Sequence, residues 1–168
     1  MFLSSRAWRV YAFEPNRHSY RVLRHFTKDR SNVSTFNVAV GSKEGVARLN
    51  IVDGEATSLG TSILKLDGLK YNKHVTVPMV RLDDLEFPTA PTVLVVDCEG
   101  YESEVLLGAK CLLEKIRTVF IETHLLSDGH DTLPEVLSEV ARIPMKTDVL
   151  TLRDEPPWVC GTRQGSFV

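Results

Sequence analysis

The chain has 168 residues, a quarter of them charged (25%), and a formal net charge of −2. That length suits one domain with a sizeable core, and the near-balanced charge gives no bulk pull toward nucleic acid or an anionic membrane. No apolar run reaches the ~20 residues of a membrane helix.

The start, "MFLSSRAW", is too short and too weakly apolar for a signal peptide. The three cysteines, Cys98, Cys111 and Cys160, form no CxxC pair. They read as buried or half-buried thiols in a reducing cytoplasm, not as a disulfide framework or a zinc knuckle. Residues 9–13 read as a strand, and Pro15 and Asn16 then open a helix over 17–29 with Tyr20, Leu23 and Phe26 on one side. A second strand over 34–40 leads through a turn with glycine at both ends, 41–45, into an alternating strand over 46–52. The two strands are expected to form a hairpin. Residues 53–73 are loop-like. Alternation returns over 75–82, where Pro78 points to a sheet edge or a bulge.

Unbroken apolar runs at 92–97 and 118–122 predict parallel strands covered on both faces. Between them a helix over 101–115 presents Val105, Leu106, Ala109, Leu112 and Leu113 to one side. Glu102 and Glu104 stand in its first turn, where the helix dipole favours them. The unit is a βαβ crossover, expected to be right-handed. Thr132 and Glu135 form a capping-box pattern around Pro134, with Leu133, Val136, Leu137 and Val140 as the buried stripe of the next helix. Two strands, 145–152 and 157–163, close the chain. The alternation predicts a single α/β domain over 1–168, an open and mostly parallel Rossmann-like sheet with helices on both faces.

Ligands in such sheets bind outside the carboxyl ends of the strands. Glu14 ends the first strand, and Asn37, Val38 and Ala39 lie near the end of the second. Asp97 ends "VLVVD" and runs into Cys98 and Glu99; Glu122 ends "TVFIE" and is followed by Thr123 and His124. Glu14 has two readings. Its carboxylate can accept from both hydroxyls of a ribose, as in NAD-binding proteins and by the same logic for S-adenosylmethionine, or it can favour the N-terminus of the following helix. Asp97 can hold a cofactor ammonium group or take a substrate proton, or it and Glu99 can cap backbone N–H groups in the turn. Asp97, Glu122 and His124 together could hold a divalent metal, but the spacing is not diagnostic and no metal is assigned. His18, His25, His74 and His130 read as solvated. Gly108 reads as a helix-packing position, and Asp83 and Asp84 as turn or capping residues.

Several stretches taken together resemble the FkbM family of methyltransferases: "VYAFEPN" (10–16), "FNVAVGSKEGVARLNI" (36–51), "TSLGTSI" (57–63), "VPMVRLDDL" (77–85) and "VLVVDCEGYESEVLLGAKCLLEKIRTVFIETH" (93–124). The resemblance covers most of 9–124, and "VDCEGYE" followed by "LLGA" and "IETH" is its most specific part. "VDCEGYE" departs slightly from the commoner "IDVEGYE" form, and Cys98 in place of Val should cost nothing chemically. It implies an S-adenosylmethionine-dependent O-methyltransferase acting on a hydroxyl of a sugar or natural product. It places Glu14, Pro15 and Asn16 at the ribose, Asn37, Val38 and Ala39 by the adenine, and Asp97 between the methionine end and the acceptor. Glu99, Glu122 and His124 would line the acceptor side, with His124 or Asp97 as the base; the imidazole has the better intrinsic pKa, ~6.5. The implied partners are a cofactor and a small-molecule or glycan hydroxyl acceptor.

The resemblance also implies a strand and a glycine-rich turn ~20 residues before Glu14, by analogy with dinucleotide folds. Thirteen residues precede Glu14 and none is glycine. The expectation is a domain truncated at its N-terminus, with a gap between the first strand and "VLVVD" where the family has a central strand. Direct pairing of the two strands, a second chain in a homo-oligomer, or simple truncation would each account for it. The alternative function is a non-catalytic binding or assembly module on the same fold. A nicotinamide oxidoreductase explains neither "VDCEGYE" nor "IETH".

Overall fold

The computed structural model describes residues 6–52, 61–65, 68–151 and 155–163. Among these no helix is long and apolar enough to cross a membrane. The chain runs β1 (Val10–Phe13), α1 (Arg17–Thr27) and β2 (Val33–Phe36), with β1 parallel to β2 and Val10 opposite Val33. Asn16 starts α1 by accepting the N–H groups of His18 (2.8 Å) and Ser19 (3.4 Å) on its side-chain oxygen. The expected apolar side of α1 stays open. The helix buries no residue, and Phe26 is 57% exposed.

The single strand expected over 34–40 is broken. β2 ends at Phe36, and β3 is only Ala39–Val40. Asn37 interrupts the ladder because its amide donates to the carbonyls of Glu14 (2.9 Å) and Pro15 (3.0 Å). The expected hairpin also falls elsewhere. β4 (Gly45–Val52) pairs antiparallel with β5 (Tyr71–Val80), and β3 lies parallel on the other side of β5. The Gly41 N–H donates to the Val80 carbonyl (3.0 Å), so the chain crosses over β5 and does not fold back on β3. Pro78 thus sits in a middle strand, opposite Val46, and the irregularity lies between Ile51 and Val52. The missing N–H is tolerated because β3 reaches only Met79 and Val80, which leaves Pro78 a single ladder neighbour. Of the loop expected over 53–73, residues 53–60 and 66–67 lie outside the described residues. Ser62 is tied to Asn50 by two backbone hydrogen bonds.

The third sheet is β6 (Val93–Val96), β7 (Thr118–Glu122), β8 (Met145–Leu150) and β9 (Trp158–Arg163), in the order β6-β7-β9-β8. Only its β6–β7 pair is parallel. Three α-helices, α2 (Glu102–Leu107), α3 (Lys110–Leu113) and α4 (Leu133–Val140), and a 3₁₀ turn at Leu82–Asp84 complete the described elements. Val105, Leu106, Leu112, Leu113, Val136 and Val140 join Val96, Val119, Ile121 and Val159 in the main core. The apolar runs of β6 and β7 are covered on one face only: Val93 (47%), Val95 (43%) and Phe120 (40%) remain exposed. The helix expected over 101–115 is split at Gly108. A Cβ there would lie 2.0 Å from the Gly41 carbonyl oxygen, so this contact of backbone on backbone requires glycine. The Asp83 carboxylate accepts from Cys111 (3.0 Å) and Leu112 (2.9 Å), capping α3. The capping box at α4 does not form. Asp131 accepts the Leu133 N–H (2.9 Å), and the Thr132 hydroxyl is used elsewhere. All three cysteines are free, and Cys111 is exposed rather than buried.

The architecture is therefore α/β with three small, mixed sheets, and the expectation of one open, mostly parallel sheet with helices on both faces is corrected to that extent. β1 and β6 lie in different sheets, so direct pairing does not close the gap. Side chains join the two units. The Tyr11 ring meets Phe87 edge-on at 4.9 Å, its hydroxyl accepts the Thr89 N–H (3.1 Å), and Phe13 packs on the main core.

Candidate active site

The carboxyl ends of β1, β6 and β7 bring four acidic groups and a histidine into one neighbourhood. Glu14 follows β1, and one of its carboxylate oxygens accepts the Asn16 N–H (2.7 Å). Burial pushes its carboxyl up from the usual value of 4.5; the Asn16 hydrogen bond opposes this, and the charge of Asp97 adds to it. That mutual influence ties the end of β1 to the end of β6. Asp97 is exposed, and Asp97, Glu122 and His124 each offer a ligand atom, all within 4.8 Å of one another.

The turn after β6 is held in an unusual shape. Glu99 has φ 57° and Gly100 φ 95°, both in the left-handed region. A non-glycine residue there costs about 1–3 kcal/mol and persists only when its surroundings fix it. Two contacts do so. The Ser62 hydroxyl, 1% exposed, donates to the Glu99 carbonyl, and the Gly100 N–H donates to the Glu102 carboxylate (2.8 Å).

Glu102 is the group that position in sequence left in the helix-dipole role. It is fully buried, and its Oε1 lies 2.8 Å from His124 Nδ1. The periodicity carried the signal: Glu102 stands three and four residues before Val105 and Leu106, on the same buried stripe. Burial alone would raise its carboxyl. The hydrogen bond and charge of His124, with the Gly100 N–H, outweigh that and hold it below the usual value. On His124, burial acts to lower the imidazole, but the hydrogen bond and charge of Glu102 and the charges of Glu99 and Glu122 hold it above 6.5. Its Nε2 lies 3.6 Å from Glu99 Oε2. The backbone N–H of His124 donates to the Thr132 hydroxyl (2.9 Å), which explains why that hydroxyl does not cap α4. Glu122 is raised to about 7, first by burial, then by the charge of Asp97 and the hydrogen bond between them, His124 opposing.

The remaining sequence-derived positions also have partners within the fold. Asn16 caps α1, Pro15 and Glu14 offer their carbonyls to Asn37, and Ala39 is 2% exposed in a second core with Ala47, Leu49, Val77 and Met79. Val38 is half-buried in the break between β2 and β3. Of the histidines read as solvated, His130 pairs with Glu135 (3.1 Å) and His74 contacts Arg48 (2.9 Å).

Comparison with known proteins gives three concordant findings. The family model described as the methyltransferase FkbM domain matches residues 2–144. A hexuronic acid methyltransferase, AglP, from Haloferax volcanii is 28% identical over 159 residues, 92% of this chain. A crystal structure of methyltransferase FkbM from Methylobacillus flagellatus superposes with a TM-score of 0.62 at 17% identity, over 92% of this chain. The chain spans 62% of the archaeal protein's length and 36% of the crystallised chain.

Proposed function

The chain belongs to the FkbM methyltransferase domain family, and from that premise we propose that it transfers a methyl group from S-adenosylmethionine to a hydroxyl of a sugar or natural product. The sugar reading takes support from the archaeal relative, whose name gives a hexuronic acid as its acceptor. The observation that carries the proposal is the meeting of Asp97, Glu122 and His124 within 4.8 Å, beside Glu14, at the ends of three strands.

The cofactor fits the ribose end. A half-buried carboxylate raised by burial and by a neighbouring carboxylate gains from additional proton donors, and a ribose supplies two hydroxyls. Glu14 would hold the ribose and the backbone at Asn37, Val38 and Ala39 the adenine, with Asp97 facing the space between the methionine end and the acceptor. When bound, S-adenosylmethionine supplies a methyl group on a sulfonium, activated for in-line displacement. The residues of this chain then align the acceptor oxygen and take its proton. The rim cluster does the second task. Glu102 fixes the His124 ring through Nδ1 and leaves Nε2 toward Glu99 and the rim. The three free thiols fit a reducing cytoplasm.

Isothermal titration with S-adenosylmethionine and with NAD tests the cofactor, heat being expected with the first alone. Glu14→Gln should weaken that binding by about 1–3 kcal/mol, since a hydrogen bond to a charged group is lost; unchanged affinity removes Glu14 from the site. Transfer of a labelled methyl group to a panel of sugars tests the reaction. His124→Ala should lower turnover far more than cofactor affinity.

A further inference from the structure

We propose that Asp97, Glu122 and His124 bind a divalent cation, Mn²⁺ or Mg²⁺, which grips two neighbouring hydroxyl oxygens of the acceptor. The acceptor half of this statement rests on the methyl-transfer reading above; the cation half rests on the cluster itself.

Cations of this kind hold their ligands at ~2.0–2.4 Å, so donor atoms on one ion stand up to ~4.8 Å apart. The three donor atoms already satisfy that limit. They come from two adjacent parallel strands, β6 and β7, whose register sets Val96 beside Ile121 and therefore places Asp97 next to Glu122. Asp97 is exposed, so ion and acceptor can enter from solvent.

The second observation is the support behind the histidine. A ligating imidazole is usually fixed through its other nitrogen by a carboxylate, which sets the tautomer and aims the free nitrogen at the metal. Here that carboxylate is Glu102, 0% exposed and 2.8 Å from His124 Nδ1. The His124 side chain is itself only 9% exposed. A fully buried carboxylate is costly, and its second oxygen, Oε2, has no hydrogen-bond partner among the described residues. Covering the sheet would need only another Leu or Val at that point of the stripe; holding a ring in one orientation needs an acid.

Charge points the same way. Among the described residues, the ion pairs give neither Asp97 nor Glu122 a lysine or arginine. Their basic neighbour is His124, and as a neutral imidazole ligand it leaves the charge of the two carboxylates to the ion. Two carboxylates and one imidazole, without a thiolate, select a hard to borderline ion, and the imidazole favours Mn²⁺ over Mg²⁺. The neighbouring thiol of Cys98 is occupied with Glu102, 3.7 Å away.

Three protein donors leave an octahedral ion with open positions, enough for a vicinal diol. An ion there acidifies the bound hydroxyl. The proton passes to the carboxylate of Glu99, the oxygen pair forms the new C–O bond, and the C–S pair returns to the sulfur of the cofactor.

The test uses the full chain, stripped with EDTA and dialysed. Titration with MnCl₂, followed by loss of the free-ion electron paramagnetic resonance signal, should show one Mn²⁺ per chain, displaced by Mg²⁺ at higher concentration. Asp97→Asn and Glu122→Gln should each weaken binding at least ~10-fold, and Glu102→Gln ~10–100-fold with the ligands intact. Circular dichroism checks that each variant is folded. Absence of stoichiometric Mn²⁺ uptake by the parent chain, or equal uptake by a folded Asp97→Asn, overturns the proposal. Methyl transfer that persists undiminished in EDTA also overturns it while leaving the reaction assignment standing. Stoichiometric Mn²⁺ without methyl transfer to any acceptor does the reverse: the cation site stands and the reaction assignment falls.

Discussion

The β1–α1–β2 unit and the helix-covered face of the β6–β7–β9–β8 sheet use similar pieces but hold together differently. In the first, α1 buries no residue, β1 and β2 are at most half-buried, and Phe13 stacks on Phe36 at 5.0 Å. In the second, Leu106, Ile116, Val119, Ile121, Val136 and Val159 are all sealed from solvent. The candidate site straddles both. Glu14, proposed to hold the ribose, stands on the lightly packed unit; Asp97, Glu122 and His124 stand on the well-packed one. Burial of even one face stabilises a parallel pair, so the same kind of strand pair is firm in one place and marginal in the other.

Substitutions can break or sharpen this contrast. Leu106→Ala removes a sealed side chain and should cost about 2–5 kcal/mol in urea denaturation, the largest effect expected. Asn16→Ala deletes the cap of α1 and should cost about 1 kcal/mol by the same measurement, because that helix has little else to hold it. A pH effect should be smaller still. With its folded value raised to about 7 from 4.5, Glu122 binds more protons in the folded chain than in the unfolded one between those values. Stability then falls as pH rises from 4.5 to 7. Glu122→Gln should raise the melting temperature at pH 8 by about 1–2 °C and leave it unchanged near pH 4. An increase of equal size at both pH values would mean that the effect is not ionisation. Phe26→Ala should change stability by less than about 0.5 kcal/mol. A loss comparable to Leu106→Ala would show that α1 is covered in solution and would erase the contrast.

Much of this was legible in the sequence. The runs over 118–122 and around 93–96 were readable because Val, Leu and Ile without interruption leave few alternatives to a strand, and their terminal acids marked the rim. The carboxylates of Asp97 and Glu122 follow from that register. What the sequence hid were facts of tertiary contact. The break at Asn37 depends on an amide reaching back to β1, and the split at Gly108 on a carbonyl 2.0 Å from its missing Cβ. The exposure of Val93, Val95 and Phe120 depends on which face the helices take, which the apolar runs do not encode. Glu102 was hidden by a rule that is correct for exposed helices: acids in the first turn suit the dipole. Its place on the buried stripe was the contrary evidence.

The seam between the two units has a mechanical consequence. Tyr11 leans on Phe87 and accepts from Thr89 while, among the described residues, no strand bonds to strand across that line, so the ends of β1 and β6 should shift against each other more readily than strands within either sheet. A molecule long enough to touch Glu14 and Asp97 together would act as a rivet through two plates. Its arrival should slow amide exchange throughout 10–36, at positions well away from Glu14 as well as beside it.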